Sequence, residues 1–278
     1  MSVLRWFMRV SPRFLKIITL IALSLYVPAS MAWGLLGHQL VCDIAWRSLH
    51  DDARLELKEL LDATGTRSFA TACFLPDRLR DSEEWAWTKP YHYMNVPIAA
   101  RAVNPADCPT EGCVLRGIEL HLREARDPAA NIDPRQRLNN LLFLSHYVAD
   151  IHQPLHVSYS ADRGGNMTLV IFEGERLNLH ELWDGKLLTR DKRPNWKTLG
   201  ARLARELGQR EIPGSTPRDW ADESLALTRR IYAELPADSK LKEDYFALHQ
   251  PLATERITLA GRRLGLMLDT LLSDQRHD

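Results

Sequence analysis

Apolar residues recur three and four positions apart in five stretches of the chain: DARLELKELLDA (52–63), VLRGIELHLREA (114–125), RLNNLLFLSHYVADI (137–151), ESLALTRRIYAEL (223–235) and ATERITLAGRRLGLMLDTLL (253–272). That spacing lines one face of an α-helix, so the pattern predicts a mainly α protein. The sharpest boundary is Asp133-Pro134-Arg135-Gln136, with Asp as N-cap, Pro at N1 and Gln at N3. The helix it opens must stop before Pro154. MTLVIFEGERLNL (167–179) breaks the rule: a β-rich run around Glu-Gly predicts a small hairpin. DRGGN (162–166) just before it predicts a tight loop, because adjacent glycines adopt positive φ at little cost.

The N-terminus follows a different pattern. Arg5, Arg9, Arg13 and Lys16 precede an apolar run from Ile17 to Val27, and Ser30-Met31-Ala32 is a small-x-small site. Residues 1–32 therefore resemble a secretory signal peptide, with cleavage exposing Trp33. The eleven-residue apolar run is short of the roughly 20 residues that span a bilayer, which argues against an uncleaved anchor. Residues 33–278 suffice for one well-buried domain, and no linker-like tract or internal repeat divides them. The 36 Lys and Arg balance the 36 Asp and Glu; four of the cations and none of the acids lie in the leader, so its removal leaves −4. A broad basic footprint for nucleic acid is absent, and a polyanionic substrate has to be held by local charge such as metal ions.

Export makes disulfides expected, and four cysteines allow three pairings. Cys108 and Cys113 close the short loop CPTEGC, which favours that pair and leaves Cys42 for Cys73 by elimination. Thiolate metal ligation is the rival reading, without a CxxC knuckle to support it.

Four of the ten histidines, His146, His152, His156 and His180, fall within 35 residues. His146 and Asp150 stand at i and i+4 on the predicted helix, on one face, where both can reach one ion. His180 and Asp184 in HELWD repeat the spacing. One such pair is commonly a surface hydrogen bond; two in a short segment point to metal. In HQPLH the intervening Pro154 denies His152 and His156 a shared face, so His156 is the candidate ligand and His152 a supporting or structural group. Asp77 in FLPDRLR and His92 in PYHYMNVP add a carboxylate and an imidazole in short extended or turn segments; singly, they read as an N-cap and a core histidine. His50, His121, His249 and His277 lack a carboxylate at ligand spacing and are expected as solvated or capping groups.

Together WGLLGH, PDRLR, YHYMNVP, FLSHYVADIHQPLH, DRGGN, NLHELWD and AGRRLGLML, in this order across residues 33–278, resemble the zinc-dependent single-strand nucleases of fungi and plants and their bacterial secreted relatives. The resemblance implies a single-domain helical fold around a trinuclear zinc cluster. It assigns one zinc to Asp77, His92, His146 and Asp150, a neighbour to Trp33, His38 and a bridging Asp150, and the third to His156, His180 and Asp184. The indole of Trp33 is no ligand; cleavage before it frees an α-amino group and leaves its carbonyl oxygen, which together can chelate. Arg80 matches a phosphate-neutralising position, with a surface salt bridge as its bland reading, and Tyr93 and Asn95 match positions that stack on and hydrogen-bond a base. Where relatives usually carry Trp-Ala before the first aspartate this chain has FLPD, so base preference transfers least.

The implied activity is hydrolysis of single-stranded DNA or RNA, and of 3′-nucleotides, through metal-activated water attacking phosphorus with Asp150 and Arg80 in catalytic roles. Three Zn²⁺ against three aspartates make such a site locally +3, which attracts phosphate. Periplasmic or extracellular location, no stable membrane association and a monomer are the matching expectations. The rival readings are a zinc phospholipase C, against which no apolar tract remains after the leader, and a non-catalytic zinc-binding effector, which should have lost ligands. NMT at Asn166 matches a glycosylation sequon.

Overall fold

The structure, a computed structural model, describes residues 33–127, 129, 133–190, 194–208, 212 and 216–273. The leader 1–32 and His277 lie outside the described residues. The chain is mainly helical. Helix α1 (Leu35–Ser48) is followed by α2 (Asp51–Ala63), the short α3 (Phe69–Ala72) and α4 (Leu75–Leu79), and a 3-10 turn over Ala86–His92. Then come α5 (Val114–Arg126), α6 (Pro134–Ile151), α7 (Trp196–Leu207), α8 (Pro217–Ala233) and the long α9 (Glu243–Ser273).

Helix α6 is the spine. Asp133 caps it, its carboxylate accepting from the backbone N–H of Arg135 at 3.2 Å and Gln136 at 3.3 Å, and Pro134 fills N1. Every residue from Asn140 to Ile151 is buried, so the helix is enclosed all round rather than along one stripe. It carries His146 and Asp150 with it, fully buried, into the middle of the protein. Truncating one of its enclosed leucines, such as Leu144→Ala, costs about 2–5 kcal/mol.

Helix α1 packs on α9 and α7. The contact with α9 explains AGRRLGLML: a Cβ on Gly261 would lie 2.6 Å from Ile44 Cβ, and one on Gly265 would lie 2.1 Å from Ser48 Oγ. The two glycines, four residues apart on one face, let the backbones approach; any larger residue must push them apart. A disulfide joins Cys42 of α1 to Cys73, and a second joins Cys108 to Cys113.

The β content is small and local. β1 (Met94–Val96) pairs in parallel with β2 (Val157–Tyr159), Asn95 opposite Ser158, and so brings the segment after His92 beside the segment after His156. The expected hairpin forms from β3 (Leu169–Phe172) and β4 (Glu175–Asn178), turning on Glu173 and Gly174, both at positive φ. A third strand, β5 (Lys240–Leu241), extends it in parallel to β3. Three expectations change. Asp77 lies within α4, and His92 closes a 3-10 helix; neither segment is extended. His121 and His249 are buried, not solvated, and only His50 of the described three is exposed.

Candidate metal centre

Six elements deliver eight donor side chains to one region. His38 comes from the first turns of α1, Asp77 from α4, His92 from the end of the 3-10 turn, and His146 and Asp150 from the last turns of α6. His156 ends the single turn Pro154–His156 that follows the break at Pro154. His180 and Asp184 come from a helical stretch over 179–189 whose middle, Leu182–Lys186, is a π-helix. All eight side chains are buried. Such π-turns widen the helix and recur at functional sites.

The donors fall into three groups, each able to converge on one ion: His38 with Asp77 and His146, His92 with His146 and Asp150, and His156 with His180 and Asp184. Asp150 faces two ways. Its Oδ2 lies 3.0 Å from His92 Nδ1 and 3.4 Å from His146 Nε2, while its Oδ1 lies 3.5 Å from His38 Nε2 and 3.8 Å from His156 Nδ1. Asp77 Oδ1 lies 3.6 Å from both His92 Nδ1 and His146 Nε2. In the third group, Asp184 reaches His180 Nε2 at 3.3 Å and His156 Nε2 at 3.8 Å.

Backbone carbonyls set the rings. His146 Nδ1 donates to the carbonyl of Cys73 at 2.8 Å, His156 Nδ1 to that of His92 at 2.6 Å, and His180 Nδ1 to that of Gly164 at 2.6 Å. A carbonyl only accepts, so each Nδ1 carries hydrogen and each neutral ring turns a lone pair at Nε2 inward. DRGGN makes one of these anchors: Arg163, Gly164 and Gly165 all have positive φ, and a Cβ on Gly164 would lie 2.6 Å from the carbonyl of Leu155. The Nε2 atoms of His156 and His180 then sit 3.2 Å apart, two acceptors facing each other. Both nitrogens of His38, Nε2 of His92 and Oδ1 of Asp150 are buried with no hydrogen bond. Buried lone pairs left facing one another cost free energy unless a cation sits among them, so this donor set fits divalent metal, and its imidazole and carboxylate chemistry suits zinc.

Burial, reinforced by neighbouring positive charge, holds His38 and His92 well below the ordinary imidazole range. Burial also lowers His180, against the pull of Asp184. Asp150 is pushed up by burial and then by the Asp77 carboxylate. Burial also opposes ionisation of Asp77, but His146 with His92 and Arg80 hold it below the usual carboxylate range. Burial thus favours the neutral form of His38, His92 and His180, as ligation requires, and disfavours a second buried carboxylate charge until a cation arrives.

The remaining expected residues are placed as follows. Trp33 is buried in the turn before α1, and the Gly34 N–H donates to the carbonyl of Asp184 at 2.8 Å, fixing the N-terminal turn against the third group. Arg80 is buried, not on the surface, with Nη1 2.9 Å from Asp77 Oδ1. Tyr93 is 43 % exposed, so it is no core tyrosine, and Asn95 is half-buried in β1. His152 is a structural group: its Nδ1 donates to the Val148 carbonyl at 2.7 Å and its Nε2 accepts from Arg263 Nη1 at 2.9 Å. Arg263 is in turn gripped by Glu223, with both contacts at 2.7 Å. Sequence reasoning missed Gln153, whose Nε2 donates to Asp184 Oδ1 at 2.7 Å; its place inside HQPLH was the available signal.

The model of a family described as S1/P1 nuclease matches residues 33–273. Among curated proteins, the chain is 27 % identical to Endonuclease 3 of Arabidopsis thaliana over 94 % of this chain and 96 % of the relative. It is 28 % identical to Endonuclease 2 of the same plant over 88 % and 92 %, and 26 % identical to Nuclease S1 of Aspergillus oryzae over 87 % and 92 %.

Proposed function

The chain belongs to the S1/P1 nuclease family, and on that premise we propose that it is a zinc-dependent phosphodiesterase cutting single-stranded DNA and RNA to 5′-phosphorylated products and releasing phosphate from 3′-nucleotides. The observation that carries the reading is the three-group donor set, with His146 common to two groups and the two oxygens of Asp150 turned toward His92 and His38 of those groups. Three zinc ions held by Asp77, His92, His146 and Asp150, by Trp33, His38 and Asp150, and by His156, His180 and Asp184 would supply Lewis acidity, enough to make hydroxide available near neutral pH and to offset phosphate charge.

The protein's own residues do the rest. Asp150 presents one oxygen to each of two donor groups and keeps them in register. Arg80, drawn to Asp77, sets a guanidinium beside the place where charge develops on a phosphate. Tyr93 offers an exposed ring next to His92, and Asn95 a side-chain amide; together they suit an unpaired base, which can stack without regard to its identity. Export with removal of residues 1–32, which frees the α-amino group of Trp33, belongs to the same proposal. The two disulfides suit an oxidising compartment, and no described helix is long and apolar enough to cross a membrane.

The test is metal analysis and a substrate panel on protein beginning at Trp33. Single-stranded DNA, RNA and 3′-AMP should be hydrolysed and Asp150→Asn should lose zinc and at least about a hundredfold in rate. Turnover of phosphatidylcholine with no nucleotide release, or full activity of Asp150→Asn, would overturn it.

A further inference from the structure

A cavity lies away from the metal donors, between the C-terminal half of α1, helices α2 and α3, and α7. Its volume is about 940 Å³ and none of its lining residues is a candidate metal ligand. Six cations line it: Arg47, Arg54, Lys58, Arg67, Lys197 and Arg205. Among the described residues only two carboxylates do, and both are engaged. Asp43 takes Arg47 Nε at 2.7 Å and Asp62 takes Lys58 Nζ at 2.6 Å. Among the described residues Arg67, Lys197 and Arg205 have no carboxylate partner, and all three are exposed.

Aromatic rings are interleaved with this charge. Trp46 and Trp196 are half-buried in the wall, and Lys197 Nζ lies 5.4 Å from the centre of the Trp196 ring. Cations alone would suit any phosphate; cations beside flat indole faces suit a strand whose bases are free to stack. A duplex keeps its bases stacked inside and offers nothing for the rings. The excess positive charge is local, since the whole chain has as many acids as bases. Helix α1 carries His38 near its start and Trp46 eight residues later, which is about 12 Å of helical rise, so the groove and the metal centre are two sites sharing one rigid element.

We propose that this groove is a second binding site for single-stranded nucleic acid, holding a stretch of polymer outside the metal centre and raising affinity for long strands over mononucleotides. The choice of polyanion rests on the nuclease reading above; the groove's charge and aromatic lining do not. Binding at two points on one polymer makes the second contact intramolecular, which lowers KM for the polymer without touching the chemical step.

The experiment uses zinc-loaded protein beginning at Trp33 and a fluorescent oligothymidylate with phosphorothioate linkages, read by anisotropy across a salt series. Arg67→Glu with Arg205→Glu should weaken binding about tenfold or more and lower the salt slope by about 1.4, the value for two phosphate contacts on a single strand. Lys197→Glu alone should act in the same direction, and Trp196→Leu should weaken binding about fivefold with the salt slope unchanged. On 3′-AMP all variants should keep wild-type kcat and KM, while KM on single-stranded DNA rises. Unchanged affinity and slope, or a parallel loss on 3′-AMP, would overturn the proposal. So would wild-type protein that ignores the oligonucleotide but binds phosphatidylserine vesicles through the same residues. Failure of the nuclease reading is separately visible, because wild-type protein would then hydrolyse neither substrate while anisotropy still reports on the groove.

Discussion

His146 Nδ1 donates to the carbonyl oxygen of Cys73 at 2.8 Å, and the sulfur of the same Cys73 is bonded to Cys42. The residue whose carbonyl holds the ring that serves two donor groups is therefore covalently tied through its sulfur to α1, which carries His38.

Replacing Cys42 and Cys73 with serine should remove about 3–4 kcal/mol of stability, the chain-entropy value for a loop of 31 residues, and should also lower zinc content. Replacing Cys108 and Cys113, only five apart, should cost about 2 kcal/mol and leave zinc content intact. Thermal denaturation with metal analysis on both pairs separates the outcomes; equal zinc in both would show that the carbonyl is held without the sulfur.

Gly164→Ala should disturb the third donor group. Its φ of +68° strains an L-residue, and its new Cβ would press on the Leu155 carbonyl beside the ring of His180. The expected cost is about 1–3 kcal/mol in folding together with loss of roughly one zinc per chain. Gly174→Ala, at φ +81° in the hairpin turn with open space around it, should show comparable strain without the zinc loss. A Gly164→Ala protein with full zinc would separate the loop from the centre.

Retaining a methionine before Trp33 should abolish the N-terminal chelate, because the Trp33 nitrogen becomes an amide and binds metal far more weakly. One zinc per chain and most hydrolytic activity should disappear, and aminopeptidase removal of that methionine should restore both. Full zinc and activity with the methionine in place would refute the role of the amino group.

Acid should destabilise the fold through His121, which burial holds down to about 4. In the unfolded chain this imidazole titrates near 6.5, so below that pH the unfolded state binds a proton that the folded state refuses. Its contribution is complete above pH 6.5 and is lost as pH falls toward 4, by about 3 kcal/mol at the limit. His121→Gln retains a side chain able to bond Asn140, which His121 Nδ1 approaches at 3.4 Å, and should flatten the acid limb of a urea midpoint measured between pH 7 and 4. An unchanged slope would place the acid sensitivity elsewhere.

Periodicity alone located α2, α5, α6, α8 and the C-terminal part of α9, because each mixes apolar and polar positions at helical spacing. It overlooked α1, in which eight of the nine positions from Gly37 to Ala45 are buried and the polar His38 and Asp43 among them interrupt the apolar spacing. It also left α4 as a turn, since five residues are too few to show a period. His121 and His249 were expected in solvent because no nearby carboxylate marked them; their burial comes with aromatic partners distant in sequence, Phe143 against His121 and Trp183 against His249.

The chain by itself determined which donors exist and that His146 with Asp150, and His180 with Asp184, can share a face, because i,i+4 spacing is a local property of helical backbone. Only the tertiary structure decided which atom of each donor points inward. That choice rests on the carbonyls of Cys73, His92 and Gly164, which lie 73, 64 and 16 residues from the rings they hold. The basic groove is likewise invisible in sequence, since Arg67, Lys197 and Arg205 become neighbours only when α7 packs beside α1. Local geometry is written in spacing; direction and long-range proximity arise when buried hydrogen bonds and close helix packing must all be satisfied at once.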